Sequence, residues 1–320
     1  MEERISSFFE ARFNQQAVSC RKLSGGASQE TWMIDCEDHS YILRRPPGGV
    51  IPEDARSIGP EKEAMVMAAC HTQSISVPEI IHIFTPDEDL YPGYIMRFVA
   101  GETLAHKILR DAAFDAIRPK LAQQCGEMLA RIHAIPHTEV AGLVRSDAIS
   151  EIDRYHKILR HHGHPHPVFE LAFQWLREHV PSNRPTTLVH GDFRNGNLII
   201  DHQDGLAAII DWELSHLGDP MEDLGWICVP SWRFGEIQHP VGGFGLRDDL
   251  YAAYEAAGGT IDREAARFWE ILGTLKWGIM CLVMIDVFTS GLDRSVERAA
   301  IGRRSSETEM DLLLMLEGEI

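Results

Sequence analysis

The amino-acid sequence predicts an α+β protein of two lobes, a small N-terminal β-sheet lobe carrying one helix and a larger, mainly helical C-terminal lobe. Three observations lead there. Residues before Gly101 alternate between β-rich runs and one helix-forming stretch. Residues beyond it carry apolar side chains at helical spacing. One island of short apolar runs, residues 187–212, interrupts those helices.

The chain opens on a helix within MEERISSFFEARF. In LSGGASQETWMIDCEDHSYILRR, residues 31–36 and 40–44 read as strands joined by the polar turn Glu37-Asp38-His39, a hairpin led by a glycine turn. Residues 59–71 combine helix formers with an apolar stripe of Ala64, Met67 and Ala68, and residues 77–84 and 94–99 alternate like strands around the turn Pro86-Asp87. Further on, Leu121, Cys125, Met128, Leu129 and Ile132 mark a helix in 119–133, and 151–179 reads as helices broken by HHGHPHP. Residues 187–212 are expected to build a small β-platform. Helices resume at Arg247, and 263–287, apolar nearly all round, reads as buried. The boundary is expected near Phe98 to Gly101, giving an N-terminal lobe of 1–98 and a C-terminal lobe of 99–320 with a ligand-binding cleft between them.

Composition narrows the function classes. Thirty Lys and Arg against 48 Asp and Glu leave a formal charge of -18 over 320 residues, which argues against nucleic-acid or anionic-membrane partners. Six cysteines stand without a CxxC pair, which fits a reducing cytoplasm and suggests neither a zinc knuckle nor a disulfide framework. The N-terminus lacks the apolar stretch of a signal peptide, and no eighteen apolar residues run together, so no membrane span is expected. A monomer or homodimer is expected.

Chemistry concentrates in VHGDFRNGN, residues 189–197, and in IIDWE around Asp211. Asp192 on a turn can accept the proton of a substrate hydroxyl. Asn197 offers an amide oxygen, and Asp211 a charged one, to a hard divalent cation such as magnesium. The same residues are also common turn formers. Order separates the two readings: H-x-D-x-x-x-x-N followed by a strand and a further Asp matches the kinase catalytic-loop pattern of base, metal ligand and second metal ligand.

With that motif and the later LGDPMEDLGW, the chain resembles the aminoglycoside phosphotransferase family of kinase-like enzymes. LSGGAS and LRRPPGG narrow the resemblance to the branch found alone or fused to acyl-CoA dehydrogenases. The resemblance implies a protein-kinase-like fold, ATP and magnesium as cofactors, Asp192 as catalytic base, Asn197 and Asp211 as magnesium ligands, and His190 as a brace for the loop. Ser24, Gly25, Gly26 and Ser28 become a candidate phosphate flap, although Gly25-Gly26 also reads as a plain hairpin turn.

In YILR the position of the kinase strand lysine is held by Arg44, with Arg45 the alternative if the strand slips by one residue. Glu63 matches the family's partner acid, with Glu61 next to it. Met96 in YIMRFV is a candidate cover for adenine, or simply an inward strand residue. Asp219 and Asp223 read as capping and bracing residues. The cluster His161, His162, His164 and His166 reads as a polar loop rather than a metal site.

These features imply a phosphotransferase acting on an alcohol group of a small molecule. Asp211 reaches GDP in eight residues with no A-P-E, leaving no activation segment for a protein substrate. The finer resemblance points to hydroxyacyl compounds. An aminoglycoside-modifying enzyme and a nucleotide-binding pseudokinase or scaffold are the alternatives.

Overall fold

In the computed structural model, which describes residues 1–23, 29–50 and 57–320, the N-terminal chain forms a five-stranded antiparallel sheet. Its strands are β1 (Ser19–Lys22), β2 (Glu30–Asp35), β3 (Ser40–Arg45), β4 (Ile80–Ile83) and β5 (Tyr94–Arg97), in the spatial order β1-β2-β3-β5-β4. Strand β1 carried no sequence signal of its own; its pattern SCRK is mostly exposed, and pairing with β2 (Cys20 opposite Ile34) makes it a strand. The expected strand at 77–84 contracts to β4, because Pro78 cannot donate to a ladder and a register shift sits between Ile80 and His82.

Side chains alternate across this sheet, and the register decides which face each one takes. Helix α1 (Glu2–Phe13) covers one face, where Ile5 and Phe9 pack with Tyr41, Leu43 and Ile95. On the other face Ile42 stands opposite Met96 and Arg44 opposite Tyr94. Helix α2 (Pro60–Thr72) packs there through Ala64 and Met67.

After β5 the chain is tied directly to the second lobe: Glu102 and Ile200 exchange both backbone hydrogen bonds at 2.9 Å. The approach is close enough to demand glycine at position 101, where a Cβ would stand 2.5 Å from Ile199 and φ is 148°. The expected β-platform is two separate two-stranded sheets. Strand β7 (Leu198–Asp201) pairs with β8 (Gly205–Ile209), while β6 (Thr187–Val189) pairs with β9 (His216–Gly218), a strand the sequence reading missed.

Around them pack α3 (Ala105–Arg110), α4 (Leu121–His133), α5 (Ala148–His162), α6 (Pro167–Glu178), α7 (Met221–Trp226), α8 (Arg247–Ala256), α9 (Arg263–Thr289), α10 (Val296–Gly302) and α11 (Ser305–Glu317). Helix α9 is long and apolar enough, by length and composition, to cross a membrane, with a mean hydropathy of 1.8. Here that surface is covered by α5, α6, α7, α10 and α11, which accounts for its apolar character on nearly every side.

Candidate active site

The loop between β6 and β7 is shaped from its backbone outward. Gly191 takes φ 81°, and a Cβ there would meet the Leu214 carbonyl at 2.6 Å, so only glycine passes. The neighbouring N–H groups of His190 and Gly191 both donate to the fully buried Asp223, at 2.8 and 2.9 Å. His133 of α4 reaches the same carboxylate through Nε2 at 3.2 Å. Burial pushes the Asp223 carboxyl up, but these donors outweigh it and its pKa is lowered. Asp223 thus braces the loop, as expected. Asp219 caps α7 through the Met221 N–H at 3.0 Å and pairs with Arg184 at 2.9 Å.

His190 is buried and uses both ring nitrogens. Nδ1 accepts the Asp192 N–H at 3.1 Å, so Nε2 carries the proton donated to the Ile210 carbonyl at 3.1 Å. Desolvation lowers its pKa, which suits this neutral form. One imidazole therefore links the loop carrying Asp192 to the strand end carrying Asp211.

Three N–H donors converge on the Asp192 carboxylate: Arg194 Nε at 3.0 Å, Trp226 Nε1 at 2.8 Å and Asn197 Nδ2 at 2.6 Å. Asn197 Nδ2 also donates to the Asp192 carbonyl at 2.9 Å. Both of its neighbours are acceptors, so the amide can face only one way, and its Oδ1 points away from Asp192.

Asp211 follows β8 and adopts the left-handed conformation, φ 70° and ψ 57°, uncommon for a residue with a Cβ. The adjoining Ile210 N–H donates to the Asn197 carbonyl at 3.0 Å, so Asn197 and Asp211 sit at neighbouring strand ends. Arg44 Nη2 donates to Asp211 Oδ1 at 2.9 Å, and its Nη1 lies 3.4 Å from Glu63 Oε1. Glu63 is fully buried and also accepts from Gln29 Nε2 at 3.0 Å. Burial raises the Glu63 pKa against the pull of Arg44; at Asp211 burial is overcome by Arg44 and the pKa is lowered.

Register resolves the open choices on these elements. Arg45 lies on the α1 face against Met1, away from Asp211, and Glu61 is exposed, so Arg44 and Glu63 form the ion pair. Met96 is buried on the Arg44 face beside Ile42. Ser24, Gly25, Gly26 and Ser28 lie outside the described residues. At the end of α5 His162 meets Asp286 at 2.6 Å, and in the loop after it, shorter than expected because His161 and His162 are helical, His166 meets Glu309 at 3.0 Å, contacts to α9 and α11. Among the described residues no group of three or more His, Cys, Asp or Glu could hold a metal ion. A cavity of about 820 Å³ between α4 and α8 is lined by none of the candidate residues. Sequence reasoning missed Arg194, Trp226 and His133. The first two stood inside motifs already singled out; Arg194 lies two residues from the acid, whereas nothing in the sequence distinguishes Trp226 from the nearer Trp212. His133, 90 residues from Asp223, carried no such signal.

A family model described as the phosphotransferase enzyme family, APH, matches residues 19–269. The chain belongs to that family. This phosphotransferase is 29% identical over 215 residues to acyl-CoA dehydrogenase family member 10 of Mus musculus, covering 64% of this chain and 20% of that protein. The chain thus spans about a fifth of that relative. It is similar in structure to a protein assigned to the aminoglycoside phosphotransferases from Ralstonia eutropha, with a TM-score of 0.77 and 21% identity over 98% of both chains. It is also similar to spectinomycin phosphotransferase in complex with ADP and spectinomycin, TM-score 0.65 and 13% identity, over 97% of this chain and 94% of that one. The likenesses establish the kinase-like fold.

Proposed function

We propose that this phosphotransferase is an ATP- and magnesium-dependent small-molecule kinase that transfers the γ-phosphoryl group to a substrate hydroxyl, with a hydroxyacyl compound as acceptor. The observation that carries the proposal is the convergence of Arg44 on Asp211, one residue past Ile210, whose N–H holds Asn197, beside an Asp192 that Asn197 itself orients. A carboxylate offers roughly four lone-pair sites. Three donors set the plane of Asp192, Arg194 Nε reaching both oxygens at 3.0 and 3.2 Å, and the carboxylate so held would receive the hydroxyl proton as the oxygen attacks.

The donor set also fits the proposed cofactors. Asn197 Oδ1 and the Asp211 carboxylate are hard oxygens of the kind that hold magnesium together with substrate phosphates, and the bound ion would offset phosphate charge. Arg44 Nε is buried with no partner among the described residues, a donor that a phosphate oxygen would satisfy. Met96 on the same face would border adenine. Ser24, Gly25, Gly26 and Ser28 are the proposed phosphate contacts. The lobe boundary proposed at 98 and 99 puts nucleotide contacts in the first lobe and the base in the second.

The path of the chain beyond Asp211 supports a small acceptor. A single turn at Trp212–Leu214, then β9 and α7, lead straight into the core and leave no peptide-docking segment. All six cysteines are free, in keeping with a reducing cytoplasm. The test is an ATP-consumption screen over hydroxyacyl-CoA esters, aminoglycosides, choline-like amino alcohols and sugars, run with Asp192→Asn as control. The variant should lose turnover while still binding ATP; unchanged turnover would sink the base assignment. Aminoglycoside turnover without acyl-CoA turnover would replace the hydroxyacyl reading, and nucleotide binding without transfer to any acceptor would favour a scaffold.

A further inference from the structure

A cavity of about 260 Å³ opens beside the catalytic loop, walled by Gly191 and Leu214 on one side and by α5 and α9 on the other. Its charged lining inverts that of the whole chain. Against a net -18, the described residues facing this cavity include Arg145, Arg154 and Lys276 and one carboxylate, Glu151. Glu151 is already engaged by Ser146 Oγ at 3.1 Å and by Arg154 at 3.8 Å. Arg145 is exposed and makes no ion pair with a described carboxylate. Glu222, which does not line the cavity, pairs with His216 at 3.0 Å and lies 3.7 Å from Lys276.

Position ties this positive pocket to the reaction centre. Gly191 adjoins Asp192 in the chain. Trp226 donates its indole N–H to Asp192 at 2.8 Å while Lys276 Nζ lies over its ring, 4.8 Å from the centroid. One indole therefore separates the ammonium from the proposed base. The cavity is smaller than the roughly 300–1,000 Å³ typical of drug-sized ligand sites, so it suits one group of a substrate rather than a whole oligosaccharide. A recess that concentrates guanidinium and ammonium groups raises the local concentration of anions and repels polycations.

We propose that this cavity binds an anionic group, carboxylate or phosphate, of the acceptor, so that the substrate is a hydroxylated acid or phosphate ester rather than a polyamine. The proposal rests on the kinase reading for its orientation: the anion sits against Arg145 and Arg154, and the hydroxyl reaches past Trp226 to Asp192. An acceptor's charge, not its ring system, is then what the enzyme selects.

The experiment has a binding arm and a turnover arm. Titration calorimetry with the whole chain in the presence of ADP and magnesium would compare 3-hydroxybutyrate, glycerol 3-phosphate, a neutral diol and an aminoglycoside, in wild type and in Arg145→Glu/Arg154→Glu. The two charged probes distinguish a carboxylate from a phosphate. Either acid should bind at least tenfold more tightly than the diol, and the double substitution should remove that preference while leaving ADP affinity unchanged. Equal binding of acid and diol, or a preference the substitution does not move, would overturn the proposal. In the turnover arm the same substitution should raise KM for an anionic acceptor tenfold or more with the KM for ATP unchanged. An anion preference lost in the double variant, but without phosphoryl transfer to any acceptor, would sink the kinase reading and leave the anion site standing.

Discussion

Arg44→Ala separates the structural and chemical roles of the inter-lobe ion pair. Arg44 is 11% exposed in its side chain, Glu63 0% and Asp211 28%. Removing the guanidinium leaves the Glu63 carboxylate in the core without its cation, with Gln29 still donating to it. Breaking a buried pair from one side costs about 3–5 kcal/mol, because the remaining charge keeps its desolvation penalty without its partner. Glu63 has one escape, which is to take up a proton. Burial already raises its pKa, and Arg44 is what opposes that rise, so the loss in Arg44→Ala should shrink as pH is lowered. Urea unfolding at pH 8 and pH 5 measures both quantities. Arg44→Ala/Glu63→Gln should cost less than the sum of the single changes by about 1–3 kcal/mol, the coupling of contacting residues. The KM for ATP should rise in Arg44→Ala. Arg44→Lys should fall between, since a point-charge ammonium cannot fork to two carboxylates. A loss below about 1 kcal/mol with additive single changes would refute the burial argument, and an unchanged KM for ATP would refute the phosphate role.

Asp223→Ala leaves the His190 and Gly191 N–H groups buried without an acceptor, at about 1–3 kcal/mol each, and should lower kcat about a hundredfold by letting Asp192 drift; Asp223→Asn keeps one acceptor and should lose less of both in parallel unfolding and rate measurements. His216 is held charged: burial alone would lower its pKa, but Glu222 lifts it to about 9. A raised folded value contributes stability that is complete below the ordinary value of about 6.5 and is lost as pH rises through 9. The protein should therefore lose up to about 3 kcal/mol across that window, and His216→Gln should flatten the slope in unfolding curves taken at stepped pH. Chelation should abolish turnover and added magnesium restore it, with Asp211→Asn needing at least tenfold more magnesium for half-maximal rate; a metal-independent rate would remove Asn197 and Asp211 from the ligand set.

Local pattern carried the elements whose sequence period matched their burial, such as the stripe of α4 and the hairpin of β2 and β3. It lost β9 because three residues, His216-Leu-Gly, have no period; they form a strand only because β6 lies alongside. It read one platform where two sheets form, since short apolar runs carry no sign of which partner each takes. The choice between Arg44 and Arg45 shows the limit most clearly. Both are strand residues of one type, and what separates them is the pairing of Arg44 with Tyr94 from a strand fifty residues away. Burial likewise separates Glu63 from Glu61.

The site was more legible than its support. Asp192, Asn197 and Asp211 announce themselves because turn geometry and metal chemistry favour the same few residue types at fixed spacing. Their scaffolding uses ordinary residues in ordinary places: a histidine on α4, a tryptophan on α7, an arginine two residues past the base. Asp223 joins these levels. A carboxylate that receives two successive backbone N–H groups dictates the path of the loop, and the Trp226 three residues later on α7 dictates the aim of the Asp192 carboxylate. LGDPMEDLGW therefore acts as the mould for VHGDFRNGN, which is why two motifs separated by the whole of β7 and β8 belong to one site. The same indole that aims Asp192 also carries Lys276 on its face, so the orientation of the proposed base and the charge at the proposed anion site meet at one side chain. Replacing Trp226 by Phe would keep an aromatic ring beneath Lys276 while removing the N–H, together with one ring of the indole. Its effect should therefore fall on kcat and spare the preference for an anionic acceptor, a split that neither a purely structural nor a purely electrostatic role for this tryptophan would produce.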